Sequence, residues 1–161
     1  MKYIYYIAER FLLSENKYYH HGLKTEHFSE IVSMDSILCK ERYFDLNTNE
    51  YIGRRESYDE ITHFKYTRKE QIIKCLKVEK SHVLEECDEF EFCGYDILDY
   101  YEENSWITNY DIDYDINRNI YTKYGLLDSI ENVFTFIEEY KIKNQNFQNE
   151  EYCIFAVWRK F

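Results

Sequence analysis

Apolar residues are concentrated in two segments at opposite ends of the chain. Residues 2–13 are rich in Tyr, Ile, Phe and Leu, and residues 151–159 contain the apolar run from Tyr152 to Trp158. A segment that is apolar at nearly every position is typical of a strand buried on both faces. We therefore predict that these two segments are neighbouring strands in the centre of one sheet.

Between them, shorter patterns predict further strands. Residues 89–98 alternate, with two phenylalanines on one face and two glutamates opposite, as in a half-buried strand. Residues 111–116 alternate strictly between Asp and apolar residues. Residues 42–53 predict a hairpin, because two short apolar runs flank the polar turn 47–50.

One helix is predicted from its spacing. Apolar residues at 130, 133, 134, 137 and 140 lie on one helical face and predict a helix over about 129–143. Asp128 and Glu131 suit its N-terminal cap, and Lys141 and Lys143 in its last turn favour the helix dipole.

Two other segments fit either a helix or a strand. Residues 67–80 begin with the capping-box pattern T-x-x-E, yet their later alternation also suits a strand. Residues 28–40 are apolar without a clear period. The elements together predict an α+β fold in a single domain, residues 1–161. We expect a mostly antiparallel sheet with central N- and C-terminal strands, packed by the C-terminal helix.

Composition excludes several protein classes. The chain has 161 residues, of which 45% are hydrophobic and 19% aromatic, too apolar for a disordered acidic tail. No apolar run approaches the ~18 residues that span a bilayer, and the first residues predict a strand, not a signal peptide. Five cysteines without a C-x-x-C pair favour reduced thiols. We expect a cytoplasmic protein with no membrane association.

Catalytic motifs are absent from the sequence. It contains no phosphate-binding glycine loop, no H-E-x-x-H and no nucleophile elbow. A cysteine could still pair in space with His63 or His82, although no local pattern supports it. We therefore predict no catalytic residue, no metal ligand and no cofactor.

The D-x-D-x-D run 111–115 matches the start of a calcium-binding loop. A calcium loop needs Gly at its sixth position and Glu at its twelfth, where this chain has Ile116 and Thr122. Clustered carboxylates of this kind could instead bind Mg²⁺ or Mn²⁺ in a metal-dependent enzyme, which stays an alternative. A third interpretation is an exposed acidic strand face, where carboxylates two residues apart repel and favour a basic partner.

The net charge of −11 lies in one segment. Residues 81–117 hold 12 acidic residues and no Lys or Arg, while the rest of the chain is close to neutral. The mildly basic stretch 54–80 is too weak a footprint for nucleic acid, which the overall acidity would also repel. Aromatic residues lie between the acids, as in protein-binding surfaces that use Tyr and Trp as anchors. The alternative is a solvated acidic face over an aromatic core. The predicted partner-binding residues are Glu85, Glu86, Asp88, Glu89, Glu91, Asp96, Asp99, Glu102, Glu103, Trp106, Tyr110, Asp111, Asp113 and Asp115.

The chain resembles bacterial immunity proteins of contact-dependent inhibition and other polymorphic toxin systems. The resemblance lies in small size, acidity, many tyrosines and the segments 93–99, 105–109 and 156–159. It implies a non-catalytic antitoxin that binds a basic toxin domain, often over a nuclease active site. The resemblance assigns no role to any individual residue. An alternative is a phage anti-defence protein that mimics nucleic acid through the same acidic surface.

Overall fold

A computed structural model describes residues 3–9, 34, 43–45, 50–52, 58–62, 70–79, 84, 89–102, 104–109, 120–143 and 151–160. The strands are β1 (Tyr3–Glu9), β2 (Tyr43–Asp45), β3 (Glu50–Ile52), β4 (Glu70–Lys77), β5 (Glu91–Asp99) and β6 (Tyr152–Lys160). The helices are α1 (Tyr58–Thr62), α2 (Trp106–Asn109) and α3 (Ile130–Lys143).

Four of the strands form one antiparallel sheet in the order β1-β4-β6-β5. This confirms the predicted α+β fold, and β6 lies in the centre with both faces buried, as expected. The prediction that β1 is a central neighbour of β6 is wrong: among the described strands β1 lies at the edge, and β4 separates the two. The ambiguous segment 67–80 thus forms a strand, whose buried Gln71 and Lys74 interrupt its apolar pattern.

Both faces of the sheet are buried. On one face, α3 contributes Val133 and Ile137 to a core that includes Leu76, Ile97 and Ala156 of the sheet. The opposite face has its own core. Its members on the sheet are Ile73, Cys75, Phe155 and Val157, and Met34, Tyr124 and Leu126 pack against them.

Strand β5 departs from the predicted half-buried pattern. The pairing with β6 skips Cys93, which leaves a β-bulge between Phe92 and Gly94, and the strand beyond the bulge is buried through Leu98. The backbone of Tyr95 exchanges two hydrogen bonds with Leu127, at 2.8 and 2.9 Å. The strand is therefore covered along its outer edge by a segment that lies about thirty residues later in the sequence.

Helix α3 confirms the predicted helix. Its buried residues Val133, Phe136, Ile137 and Tyr140 form the i, i+3, i+4, i+7 stripe. The N-cap is Ser129, since its hydroxyl accepts a hydrogen bond from the backbone N–H of Asn132 at 3.2 Å. The predicted cap Asp128 instead accepts a bond from the Asn132 side chain, at 2.7 Å.

The hairpin prediction is also confirmed. Strands β2 and β3 pair antiparallel from Tyr43 opposite Ile52 to Asp45 opposite Glu50. The predicted strand 111–116 lies outside the described residues, as does the segment 28–40 apart from Met34. Of the helices that the structure describes, none is long and apolar enough to cross a membrane.

Candidate protein-binding surface

The predicted binding residues divide into two groups. Outside the described residues lie Glu85, Glu86, Asp88, Glu103, Tyr110, Asp111, Asp113 and Asp115. The structure describes Glu89, Glu91, Asp96, Asp99, Glu102 and Trp106, which lie on β5 or directly beside it. These six do not form one surface, because two of them are buried.

Trp106 belongs to the core beneath α3. Its side chain is fully buried, and its ring lies 4.3 Å from Tyr140 and 5.3 Å from Tyr152, centroid to centroid. Tilted and edge-on rings at such distances stabilise a packed core. A partner that docks on the folded chain does not reach this ring, so we remove Trp106 from the predicted surface.

Asp96 is a buried carboxylate with hydrogen-bond donors around it. It accepts bonds from the backbone N–H of Met34 at 2.7 Å, from its neighbour Ile97 at 2.7 Å and from the hydroxyl of Ser105 at 2.6 Å. The Ser105 oxygen in turn accepts a bond from the N–H of Ile107 at 3.2 Å, at the start of α2. Asp96 therefore joins three separate segments of the chain, and we also remove it from the predicted surface.

The remaining acids lie at the surface, and three of them pair with cations of the same chain. Glu89 contacts Lys160 at 3.1 Å, and Glu102 contacts Lys77 at 3.2 Å. Glu91 contacts Lys123 at 3.1 Å and Arg159 at 3.3 Å. Each of these cations lies outside the acidic segment 81–117. The charge asymmetry along the sequence is thus partly compensated in space.

Glu91 is the centre of the most extensive of these contacts. The hydroxyl of Tyr124 donates to the Glu91 carboxylate and accepts a bond from Arg159 at 3.1 Å. The Arg159 guanidinium also lies 4.3 Å from the centre of the Tyr124 ring. The hydrogen bond from Tyr124, with those from Lys123 and Arg159, holds the pKa of Glu91 below its ordinary value although partial burial opposes this. The cluster links the segment around Tyr124 to β5 and β6.

Two tyrosines that were not among the predicted binding residues are highly exposed. Tyr100 is 61% exposed and Tyr101 is 76% exposed, in the turn that follows β5. Their rings lie 5.4 Å apart at an angle of 78°. The sequence contained a signal for this exposure, since both residues follow the end of a strand pattern within the polar run from Asp99 to Asn104.

A buried lysine was also missed by sequence reasoning. Lys74 on β4 is only 7% exposed, and its ammonium lies 4.0 Å from the ring centre of Tyr3 and 5.4 Å from those of Phe90 and Trp158. Aromatic faces attract a cation by about 2 kcal/mol or more when both are desolvated. This arrangement explains how the centre of β4 holds a cationic side chain.

The described cysteines are unsuited to surface chemistry. Cys75, Cys93 and Cys153 are buried, and burial raises the pKa of the Cys93 thiol to about 12. Within the part of the chain that the structure describes, no three His, Cys, Asp or Glu side chains are grouped as a metal site would require.

Comparison with known proteins found no family model, no curated protein and no solved structure that matches this chain.

Proposed function

We propose that this chain is a cytoplasmic immunity protein that binds and inhibits a cognate basic toxin domain, most simply a nuclease. The observation that carries the proposal is the segment 81–117, with its 12 acidic residues and no Lys or Arg. The described part of this segment supports a protein contact, because it presents Tyr100 and Tyr101 to solvent beside surface carboxylates.

A basic partner is attracted by an acidic surface. A nuclease holds phosphates with basic residues, so its active site attracts an acidic protein surface. Complementary charge mainly raises the association rate and excludes wrong partners. Affinity comes from a few well-packed anchors, among which Tyr is enriched.

The ion pairs within the chain refine the proposal. Glu89, Glu91 and Glu102 each have a cation of the same chain within 3.3 Å, so their contribution to a long-range field is reduced. The proposal therefore assigns most of the steering charge to the other acids of 81–117, above all to the run 111–115.

Co-expression with the product of the adjacent gene tests the proposal. We expect that product to stop growth when expressed alone, to be neutralised by this chain, and to be captured by it from purified components. If the adjacent gene product is neither toxic nor bound by this chain, the proposal is wrong. Capture of a phage-targeting defence nuclease instead of a toxin would favour the anti-defence alternative.

Association kinetics test the steering surface. Lys substitutions at Asp111, Asp113 and Asp115 should slow association at low salt, where the Debye length is about 30 Å, and much less at high salt. The matched control makes the same charge change at three exposed acids elsewhere, Asp59, Glu60 and Glu138. Equal slowing in both triple variants would show an effect of net charge alone and contradict a local surface.

Calorimetry separates the remaining alternative. A metal-dependent enzyme that uses clustered carboxylates must bind Mg²⁺ or Mn²⁺ near millimolar concentration. We expect no binding heat for either metal, and a measurable affinity would favour the enzyme.

A further inference from the structure

We propose that the β-turn from Asp99 to Glu102 binds an arginine side chain of the basic partner, with Tyr100 and Tyr101 as the contact rings. The inference rests on the proposed function, because it names a contact point for that partner.

The turn is held in one conformation by its own hydrogen bonds. The backbone N–H of Asp99 donates to the carbonyl of Asn104 at 3.0 Å, and the N–H of Glu102 donates to the carbonyl of Asp99 at 2.9 Å. The Asp99 carboxylate accepts a further bond from the Asn104 side chain at 2.9 Å. Below the turn, Leu98 and Ser105 form a bridge that closes it. A preformed turn loses little conformational entropy when a partner binds.

Glu102 gives the turn a strained position. Its φ is 58°, in the left-handed region that favours glycine, and a side chain there costs on the order of 1 kcal/mol. The Glu102 carboxylate is tied to Lys77 of β4 at 3.2 Å. Such strain persists only where surrounding contacts hold it, and it concentrates at functional sites. The contact links the turn that holds the two tyrosines to β4 of the sheet.

The two rings form an exposed aromatic corner. With 61% and 76% of their surfaces in solvent, Tyr100 and Tyr101 contact each other edge to face, and neither contacts another described aromatic ring. Tyrosine loses few rotamers on binding, which makes it an efficient contact residue. Ring faces attract cations, so this corner suits a positively charged group.

Arginine fits the corner better than lysine. A guanidinium is planar and stacks on an aromatic face, whereas an ammonium is a compact, strongly hydrated charge. The chemistry of this turn therefore selects an arginine-bearing loop of a basic protein.

Fluorescence anisotropy with two labelled peptides, nona-arginine and nona-lysine, tests the inference on the full chain. We expect tighter binding of nona-arginine, and a loss of at least about tenfold when both tyrosines are changed by Tyr100→Ala and Tyr101→Ala. The matched control, Tyr100→Phe with Tyr101→Phe, keeps both rings and should stay within about threefold of the wild type. None of these substitutions changes the net charge, so the nonspecific electrostatic attraction between the protein and each peptide is the same for all variants. Equal affinity of the Ala and wild-type proteins for nona-arginine would overturn the inference.

Two further measurements make the outcome unambiguous. The urea midpoint of the Ala variant should equal that of the wild type, since both rings are exposed. If the adjacent toxin binds wild type and Ala variant equally, this inference fails while the proposed function stands. If no toxin binds at all, the proposed function fails, and the peptide result still decides whether the turn recognises arginine.

Discussion

The buried hydrogen bonds of Asp96 can be tested by mutation. The sequence predicts that this residue faces a partner, whereas the structure buries it. Asp96→Ala removes the acceptor for the N–H groups of Met34 and Ile97 and for the hydroxyl of Ser105. A hydrogen bond to a charged group contributes about 1.5–3 kcal/mol, and a buried donor left without its acceptor costs about 1–3 kcal/mol. Water that enters the vacated space offsets part of the sum, so we expect a loss of about 3–5 kcal/mol in the free energy of unfolding.

This loss is large against the total stability of a domain, which is about 5–15 kcal/mol. Urea unfolding followed by tryptophan fluorescence measures it well, because Trp106 and Trp158 are both buried and report on the core. The control is Glu89→Ala, which removes an exposed acid paired with Lys160 and should cost no more than about 1 kcal/mol.

A double-mutant cycle with Ser105→Ala isolates one of the three bonds. We expect Asp96 and Ser105 to be coupled by about 1–3 kcal/mol, because they are in direct contact within one network. If Asp96→Ala costs no more than Glu89→Ala, or if the coupling is zero, the buried carboxylate does not join these segments and our reasoning is refuted.

Three further predictions address the strand β5 and its neighbours. Gly94→Ala should destabilise the fold by more than about 2 kcal/mol in urea unfolding, because Gly94 has φ 130° and a Cβ would lie 2.7 Å from the carbonyl oxygen of Leu127. A midpoint unchanged from wild type would contradict the close approach. The pKa of Glu91 is lower in the folded state than its ordinary value of 4.5. The ionised side chain therefore stabilises the fold above pH 4.5, and this stabilisation is lost as the pH falls through the folded-state pKa. Glu91→Gln should therefore remove up to about 1 kcal/mol at neutral pH and make the urea midpoint less sensitive to acid, since the side chain is half exposed. Finally, the raised pKa of Cys93, about 12, predicts that iodoacetamide at neutral pH modifies this thiol only when urea unfolds the chain. Rapid labelling of the Cys93 peptide in the native protein, seen by mass spectrometry, would count against its burial.

Several features of this protein follow from local sequence patterns. The stripe from Val133 to Tyr140 predicts α3, and the uninterrupted apolar run of β6 predicts a strand buried on both faces. These predictions succeed because burial of one helix face imposes a period on nearby residues, and burial of both faces of a strand requires an unbroken apolar run. The concentration of acids in 81–117 is likewise a property of the sequence alone.

Other features depend on residues that are far apart in the sequence, and only the tertiary structure decides them. The insertion of β4 between β1 and β6 moves β1 to the edge of the described sheet, and the segment before α3 covers β5 and buries its alternating residues. Asp96 is buried because donors from Met34 and Ser105, 62 and 9 residues away, converge on it. Glu91 has no Lys or Arg near it in the sequence, yet it pairs with Arg159, 68 residues later, which partly compensates its negative charge. A periodic pattern carries no information about which distant segment lies opposite, whereas strand order and register bring those groups into contact.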